Sequence, residues 1–290
     1  MNTPATSATQ PVIILGMHRS GTSMITDVLE ACGLFCGWRK DPNQEAWFFL
    51  TINDWLLQQC GGSWESPAAV QAMLHNVALR ELLRDYVAYL LRTLRVVSYL
   101  GPRRFLRYGS PVRLTEPWGW KDPRNTFTLP LWLDIFPGAR VLNIQRHGVD
   151  VVQSLMTRQH DTVAIGARLF AQRKPLYWLG LRQPSFALHV RCTSPEGCFA
   201  TWEEYSNEAQ RHVAALGPQA LTVRFEDVLQ SPREQLTRVL EFCGVPAQPA
   251  LIERACAGMN PARACAYKKD PALCAFATRM ATRLRAFGYQ

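Results

Sequence analysis

The stretch Gly16-Met17-His18-Arg19-Ser20-Gly21-Thr22-Ser23 concentrates two glycines, three hydroxyls and a guanidinium in eight residues. It follows the apolar run Val12-Ile13-Ile14-Leu15, and from Gly21 onward the pattern turns helical. A buried strand that feeds such a loop into a helix N-terminus exposes several backbone N–H groups and the positive end of the helix dipole, which together make an anion site. Gly16 and Gly21 allow the tight backbone path, while Ser20, Thr22 and Ser23 add hydroxyl donors. An ordinary strand–loop–helix turn does not need this density of glycine, hydroxyl and arginine. The spacing is that of the ATP/GTP loop GxxxxGK[ST], but Thr22 occupies the lysine position and the cation stands three places earlier, at Arg19. No plausible metal-binding aspartate follows a strong apolar strand, so the loop reads as a phosphate loop for something other than a nucleoside triphosphate.

The elements that must hold this loop follow from periodicity. Besides Val12–Leu15, strands are expected at Arg140–Gln145 and Leu221–Phe225, with a weaker one at Trp118–Trp120 just before Lys121. Met24, Ile25, Val28, Leu29 and Cys32 share one helical face, and Gly33 sits where a terminating glycine belongs. Ser66-Pro67 opens a long helix carrying apolar residues to Leu90, and Ser194-Pro195 opens another that ends before Gly217. Ser231-Pro232-Arg233-Glu234 reads as a capping box whose helix ends at Gly244. Strands alternating with helices predict an α/β class: a three-layer, P-loop NTPase-like fold with a central parallel β-sheet flanked by helices. Residues 94–115 and 157–198 fit this rhythm badly and read either as substrate-side insertions over the C-terminal ends of the strands or as packing decoration.

Composition narrows the partners without choosing among them. The chain has 290 residues, 48% hydrophobic and 19% charged, which excludes a disordered polypeptide. Its formal net charge is +9, and arginine supplies nearly all of the cations. Such an excess suits phosphate or sulfate esters, anionic glycans, nucleic acid or a membrane face, or is simply spread over the surface. The nine cysteines form no CxxC pair, and His189, Cys192 and Cys198 fit no zinc spacing. Residues 1–10 carry neither a basic nor an apolar leader region, and no apolar run approaches a membrane span. The expectation is a cytoplasmic protein with reduced thiols, an unordered N-terminus over 1–10 and a single domain over 1–290.

Arg19-Ser20-Gly21-Thr22-Ser23 resembles the 5′-phosphosulfate loop [K/R]-S-G-T-[ST] of the sulfotransferases that use 3′-phosphoadenosine 5′-phosphosulfate (PAPS). The family's 3′-phosphate motif, an arginine at a strand end and a serine eight residues on, is matched by Arg146 and Ser154, with Gly148 where proline is usual. About two helical turns separate them, so both can reach one phosphate. Arg158 matches a further PAPS-binding arginine of the tyrosylprotein branch, or is a solvated helix cation. Trp120-Lys121-Asp122-Pro123-Arg124 resembles the family's lysine-aspartate-proline segment, and Val223-Arg224-Phe225-Glu226-Asp227 its R-Y-E-D segment, with Phe225 replacing tyrosine near the adenine. Glu45, then Asn53 eight residues on, then Gly62-Ser63-Trp64, resembles the bacterial pattern of a glutamate, an asparagine and G-x-W.

The resemblance implies PAPS as donor, 3′-phosphoadenosine 5′-phosphate (PAP) as product, no metal, and a hydroxyl or amine acceptor. Arg19 is then the cation on the departing phosphate, and Lys121 a second cation at the bridging oxygen or the sulfuryl group, unless it is a salt-bridge partner of Asp122 or a neighbour. Glu45 becomes the general base, or an exposed helix-start glutamate, with His18 and His147 as rivals. The binding set is Arg19, Ser20, Gly21, Thr22, Ser23, Arg146, Ser154 and Arg158. The acceptor is a carbohydrate, lipid, peptide or small metabolite, nucleic acid is not expected, and peripheral membrane contact stays open. Two alternatives remain: a P-loop kinase or NTPase, and a non-enzymatic polyanion-binding module built on the Arg/aromatic stretch that includes Arg92, Arg103, Arg104, Arg107 and Arg113.

Overall fold

Four consecutive apolar residues are buried on both sides only inside a covered parallel sheet, and Val12–Leu15 is buried throughout as strand β1. The computed structural model describes residues 8–180 and 190–289. Among these, β1 pairs with β2 (Gly119–Lys121) and β3 (Arg140–Gln145), and β3 pairs with β4 (Ala220–Arg224), all parallel, in the order β2-β1-β3-β4. The helices are α1 (Thr22–Ala31), α2 (Trp47–Gln59), α3 (Ala68–His75), α4 (Val77–Leu90), α5 (Val97–Tyr108), α6 (Asn125–Ile135), α7 (Gly148–Trp178), α8 (Pro195–Leu216), α9 (Phe225–Gln230), α10 (Pro232–Cys243), α11 (Pro249–Ala257) and α12 (Pro271–Arg285).

The chain divides into two units, Met1–Arg146 with Tyr205–Ala264, and His147–Glu204 with Cys265–Gln290. The first holds the whole sheet. One of its faces meets α1 and α10 through Val12, Ile14, Leu142, Ile144 and Val223 against Ile25, Val28, Leu29, Leu236 and Leu240. The opposite face is aromatic: Trp120 of β2 stacks on Phe49 of α2 with ring centroids 4.0 Å apart and meets Trp132 of α6 edge-on. This is the three-layer α/β architecture with a central parallel sheet that the sequence predicts. The order 2-1-3-4 places the reversal of strand order between β1 and β3, where α/β sheets bind ligands outside the C-terminal strand ends.

In the second unit, His147 caps the start of α7: its Nδ1 accepts the Val149 N–H at 3.3 Å, and its ring stacks on Tyr267. The Asp150 carboxylate accepts the Tyr267 N–H at 2.8 Å, and Trp202 packs against Phe199 and Phe287. Gly148 is needed there, since a Cβ would lie 2.9 Å from the Trp202 ring.

Several local expectations are corrected. The helix expected across 66–90 is two helices, because Asn76 is extended and its side chain accepts the Leu79 N–H, capping α4. Ser231 makes no side-chain cap, so the capping box does not form; Pro232 in the first turn and left-handed Gly244 still bound α10. Phe225 opens α9 instead of ending β4, and β2 runs one residue later than Trp118–Trp120. The 157–198 stretch, read without period, is helical to Trp178 with a kink at Arg173. Within 94–115, α5 runs along the β2 edge: its Tyr99 hydroxyl donates to Gly119 O at 2.7 Å, and Arg104 pairs with Glu116 while lying over the Phe35 ring. Residues 1–7 and 181–189, His189 among them, lie outside the described residues. No helix among the described residues is long and apolar enough to cross a membrane.

Candidate active site

The loop after β1 has a backbone path that only its own residues permit. Gly16 has φ +132, and a Cβ there would sit 2.3 Å from the Ile144 carbonyl oxygen of β3. Arg19 is left-handed at φ 70 and Gly21 at φ 91, and the Ser20 N–H closes a turn on Met17 O at 3.1 Å. A non-glycine residue in that region stores strain, which marks a functional constraint at Arg19. Gly21 stands at the N-cap of α1 without a side-chain cap, so the helix's positive end is left to whatever occupies the loop. Ser20 is 1% exposed, and its Oγ has no hydrogen-bond partner among the described residues. A buried hydroxyl with a bond still to give costs free energy unless a ligand takes it. Thr22 is buried, Arg19 is exposed, and the Ser23 hydroxyl donates to Asn43 O at 2.7 Å.

At the end of β3, Arg146 is buried beside this loop. It donates through Nη1 to Arg19 O at 3.2 Å and through Nη2 to Arg263 O at 3.1 Å, and its guanidinium lies 4.7 Å over the Phe225 ring. The same ring closes on Gly21, where a Cβ would fall 2.3 Å from its Cδ2. Arginine, aromatic ring and phosphate-type loop therefore form one surface at the switch point.

The 41–45 segment is tied to the loop's helix by the Ser23–Asn43 bond, and it delivers Glu45 into the interior. Glu45 is 3% exposed, contrary to the exposed helix-start reading. The Lys121 Nζ lies 3.2 Å from its Oε1, and Arg124 Nη1 lies 3.3 Å from its Oε2. Arg124 also binds both carboxylate oxygens of buried Asp122, at 3.0 and 3.2 Å, and its backbone N–H donates to Asp122 Oδ1. Lys121 thus has its salt bridge with Glu45 and not with Asp122. Burial pushes the Glu45 carboxyl above the usual carboxylate range and the nearby Asp122 charge adds to this, while Lys121 and Arg124 pull the other way. Two carboxylates and two cations, closely packed, are formally neutral, and a carboxyl with raised proton affinity is suited to taking up a proton.

Beneath this cluster, Asn53 of α2, Asn125 and Thr128 of α6, and Trp132 form a buried polar network. His18 meets Trp64 edge-on at 4.6 Å and Tyr205 at 6.1 Å, the Tyr205 hydroxyl donating to Trp64 O. An aromatic wall therefore flanks His18. His147 is occupied as the α7 cap described above, which argues against a role as base. Ser154 and Arg158 lie one turn apart on α7, in the second unit, both partly buried, and their assignment rests on sequence spacing.

Sequence reasoning gave Arg124 no role, although it stood in the quoted lysine-aspartate-proline segment. Its only signal was an arginine two residues after the aspartate of that segment. Among the described residues no group of three or more His, Cys, Asp or Glu is arranged to hold a metal ion.

The sequence pattern of the Sulfotransferase family matches residues 11–249. Among solved structures, the sulfotransferase domain of the Synechococcus PCC 7002 olefin synthase is 21% identical over 94% of this chain and 88% of its own, with a TM-score of 0.45. A sulfotransferase from Alicyclobacillus acidocaldarius is 18% identical over 85% of this chain and 90% of its own, also with a TM-score of 0.45. No curated protein matches the sequence.

Proposed function

The chain belongs to the sulfotransferase family, and from that premise we propose that it transfers the sulfuryl group of PAPS to a hydroxyl or amine acceptor by in-line displacement. The observation that carries this reading is the pairing of an anion loop lacking the nucleotide-triphosphate lysine with a buried Glu45–Lys121 pair fastened to the same helix start.

When bound, PAPS supplies the sulfuryl group and departs as PAP with one more negative charge on its 5′-phosphate. The N–H groups at the start of α1, with the Ser20 and Thr22 hydroxyls, bind that phosphate, and Arg19 neutralises its gathering charge. Arg146 recognises the 3′-phosphate, and sequence spacing adds Ser154 and Arg158 to it. Phe225, already under Arg146, offers a face to the adenine. Glu45 takes the acceptor's proton on a carboxylate oxygen as the acceptor oxygen bonds to sulfur; the electron pair of the breaking S–O bond stays with the phosphate. Lys121 holds Glu45 in place and lends positive charge to the sulfuryl group. Glu45, Asp122, Lys121 and Arg124 sum to zero before the transfer and to +1 once Glu45 is protonated. That gained charge faces the negative charge left on the nucleotide.

A screen of PAPS turnover across carbohydrate, phenol, lipid-alcohol and amine acceptors tests the proposal. Acceptor-dependent release of PAP with a sulfated product is the expected result, and its absence across all four classes contradicts it.

A further inference from the structure

Asn53 is fully buried, and each of its hydrogen-bonding positions is filled. Its Nδ2 donates to Asp122 Oδ2 at 2.9 Å and to Asn125 Oδ1 at 2.8 Å. Its Oδ1 accepts from Thr128 Oγ1 at 2.8 Å and from the Trp132 indole at 2.9 Å. An indole N–H only donates and a carboxylate only accepts, so the amide has one permitted orientation. Asn125 is pinned in turn, accepting from the Trp120 indole and donating to the Ile14 carbonyl at the end of β1. The network is therefore anchored to the strand that feeds the anion loop. It meets the charged groups of the cluster at Asp122, which shares Arg124 with Glu45, and Thr128 Oγ1 also lies 3.2 Å from the Arg124 backbone oxygen.

We infer that Asn53 is a positioning residue: by holding Asp122 with a neutral donor, it keeps Arg124 shared with Glu45 instead of drawn wholly to the aspartate. The chemistry follows from competition for one guanidinium. Without the Asn53 amide, Asp122 Oδ2 keeps only its 3.2 Å contact with Arg124, and the aspartate takes more of that guanidinium. Glu45 then faces Lys121 of β2 and the negative charges of Asp122 and Asp41 with less of its second cation, and it binds its proton more tightly. Asp122→Asn has the opposite sign, since it removes a negative charge and leaves Arg124 to Glu45 and, at 3.8 Å, to the half-exposed Asp54. The inference rests on the reading of Glu45 as the base, and the measurement below separates the two.

The test is the titration of the Glu45 carboxyl by infrared difference spectroscopy on the full chain, its band identified by its loss in Glu45→Gln, with the pH profile of PAPS turnover alongside. Asn53→Ala is expected to raise the Glu45 midpoint by about one pH unit, Asn53→Ser, which keeps one donor, to raise it less, and Asp122→Asn to lower it. Thr128→Val, which removes a bond to the Asn53 carbonyl that Trp132 still holds and one to the Arg124 backbone oxygen but no donor to Asp122, is expected to lower Tm and leave the midpoint in place; a structural role alone moves Tm in all of them and the midpoint in none. If neither Asn53 variant folds, Asn53→Leu with Thr128→Val and Trp132→Phe, which removes the donors that the leucine would strand, must raise the midpoint. An unmoved midpoint in the folded Asn53 variants or in that triple variant overturns the inference, as does an Asp122→Asn shift upward. Shifted midpoints together with full turnover in Glu45→Gln leave the positioning role standing and remove the base.

Discussion

At the scale of single residues, the account assigns separate duties to Arg19 and Glu45. Arg19 is exposed and held in a left-handed conformation at the centre of the loop, and its replacement by alanine is expected to leave the fold intact. Arg19→Ala is expected to lower kcat by about 100-fold or more, a loss typical of removing one transition-state donor, while PAP affinity measured by calorimetry falls less. Turnover near wild type contradicts its role. Glu45 acts as a base only when ionised, and burial with the Asp122 charge raises its proton affinity. The acidic limb of kcat therefore lies above the ordinary carboxylate range: activity is lost as pH falls through the folded-state value and is retained above it. In Glu45→Gln the limb disappears along with most of the turnover; a limb that persists places the base elsewhere. Arg19, Glu45 and Lys121 stand out as candidates in the sequence because each lies in a short local motif, whereas the pairing of Glu45 with Lys121 is visible only in the fold. The Asn53 network was not, since its bonds to Asp122 and Trp132 join residues 69 and 79 positions apart, and local patterns carry no trace of such contacts.

Elements show the same division between local signal and tertiary placement. β1 and β3 lie where the apolar runs put them, because a strand buried on both faces writes itself as a short uninterrupted stretch. The break at Asn76 was hidden because the apolar spacing continues through it, while the extended backbone of Asn76 and its side-chain cap interrupt the helix. The distal part of α7 was hidden for the opposite reason: residues 163–180 are largely exposed, so no buried stripe imposes a period. The most sensitive junction is where β1 becomes the loop. Gly16→Ala sets a Cβ against a backbone carbonyl at 2.3 Å in a conformation suited to glycine. Strain and overlap of about 1–3 kcal/mol each are expected to lower denaturant stability by roughly 2–6 kcal/mol. A loss under about 1 kcal/mol shows that the loop relaxes and does not need this path.

For the whole molecule, the parallel sheet and its order matter more than net charge. The +9 excess suits several kinds of anion and selects none. What selects is convergence: the loop after β1, Arg146 after β3 and Phe225 after β4 meet at the C-terminal ends of three neighbouring strands. The most direct test is calorimetric titration of PAP into the full chain, beside Arg146→Ala and beside ATP with Mg²⁺. One PAP site per chain is predicted, weakened by about 10-fold to 100-fold in Arg146→Ala, as expected for a lost arginine–phosphate contact, with ATP and Mg²⁺ binding far more weakly. Absence of heat with PAP, or tighter binding of ATP with Mg²⁺, contradicts the account.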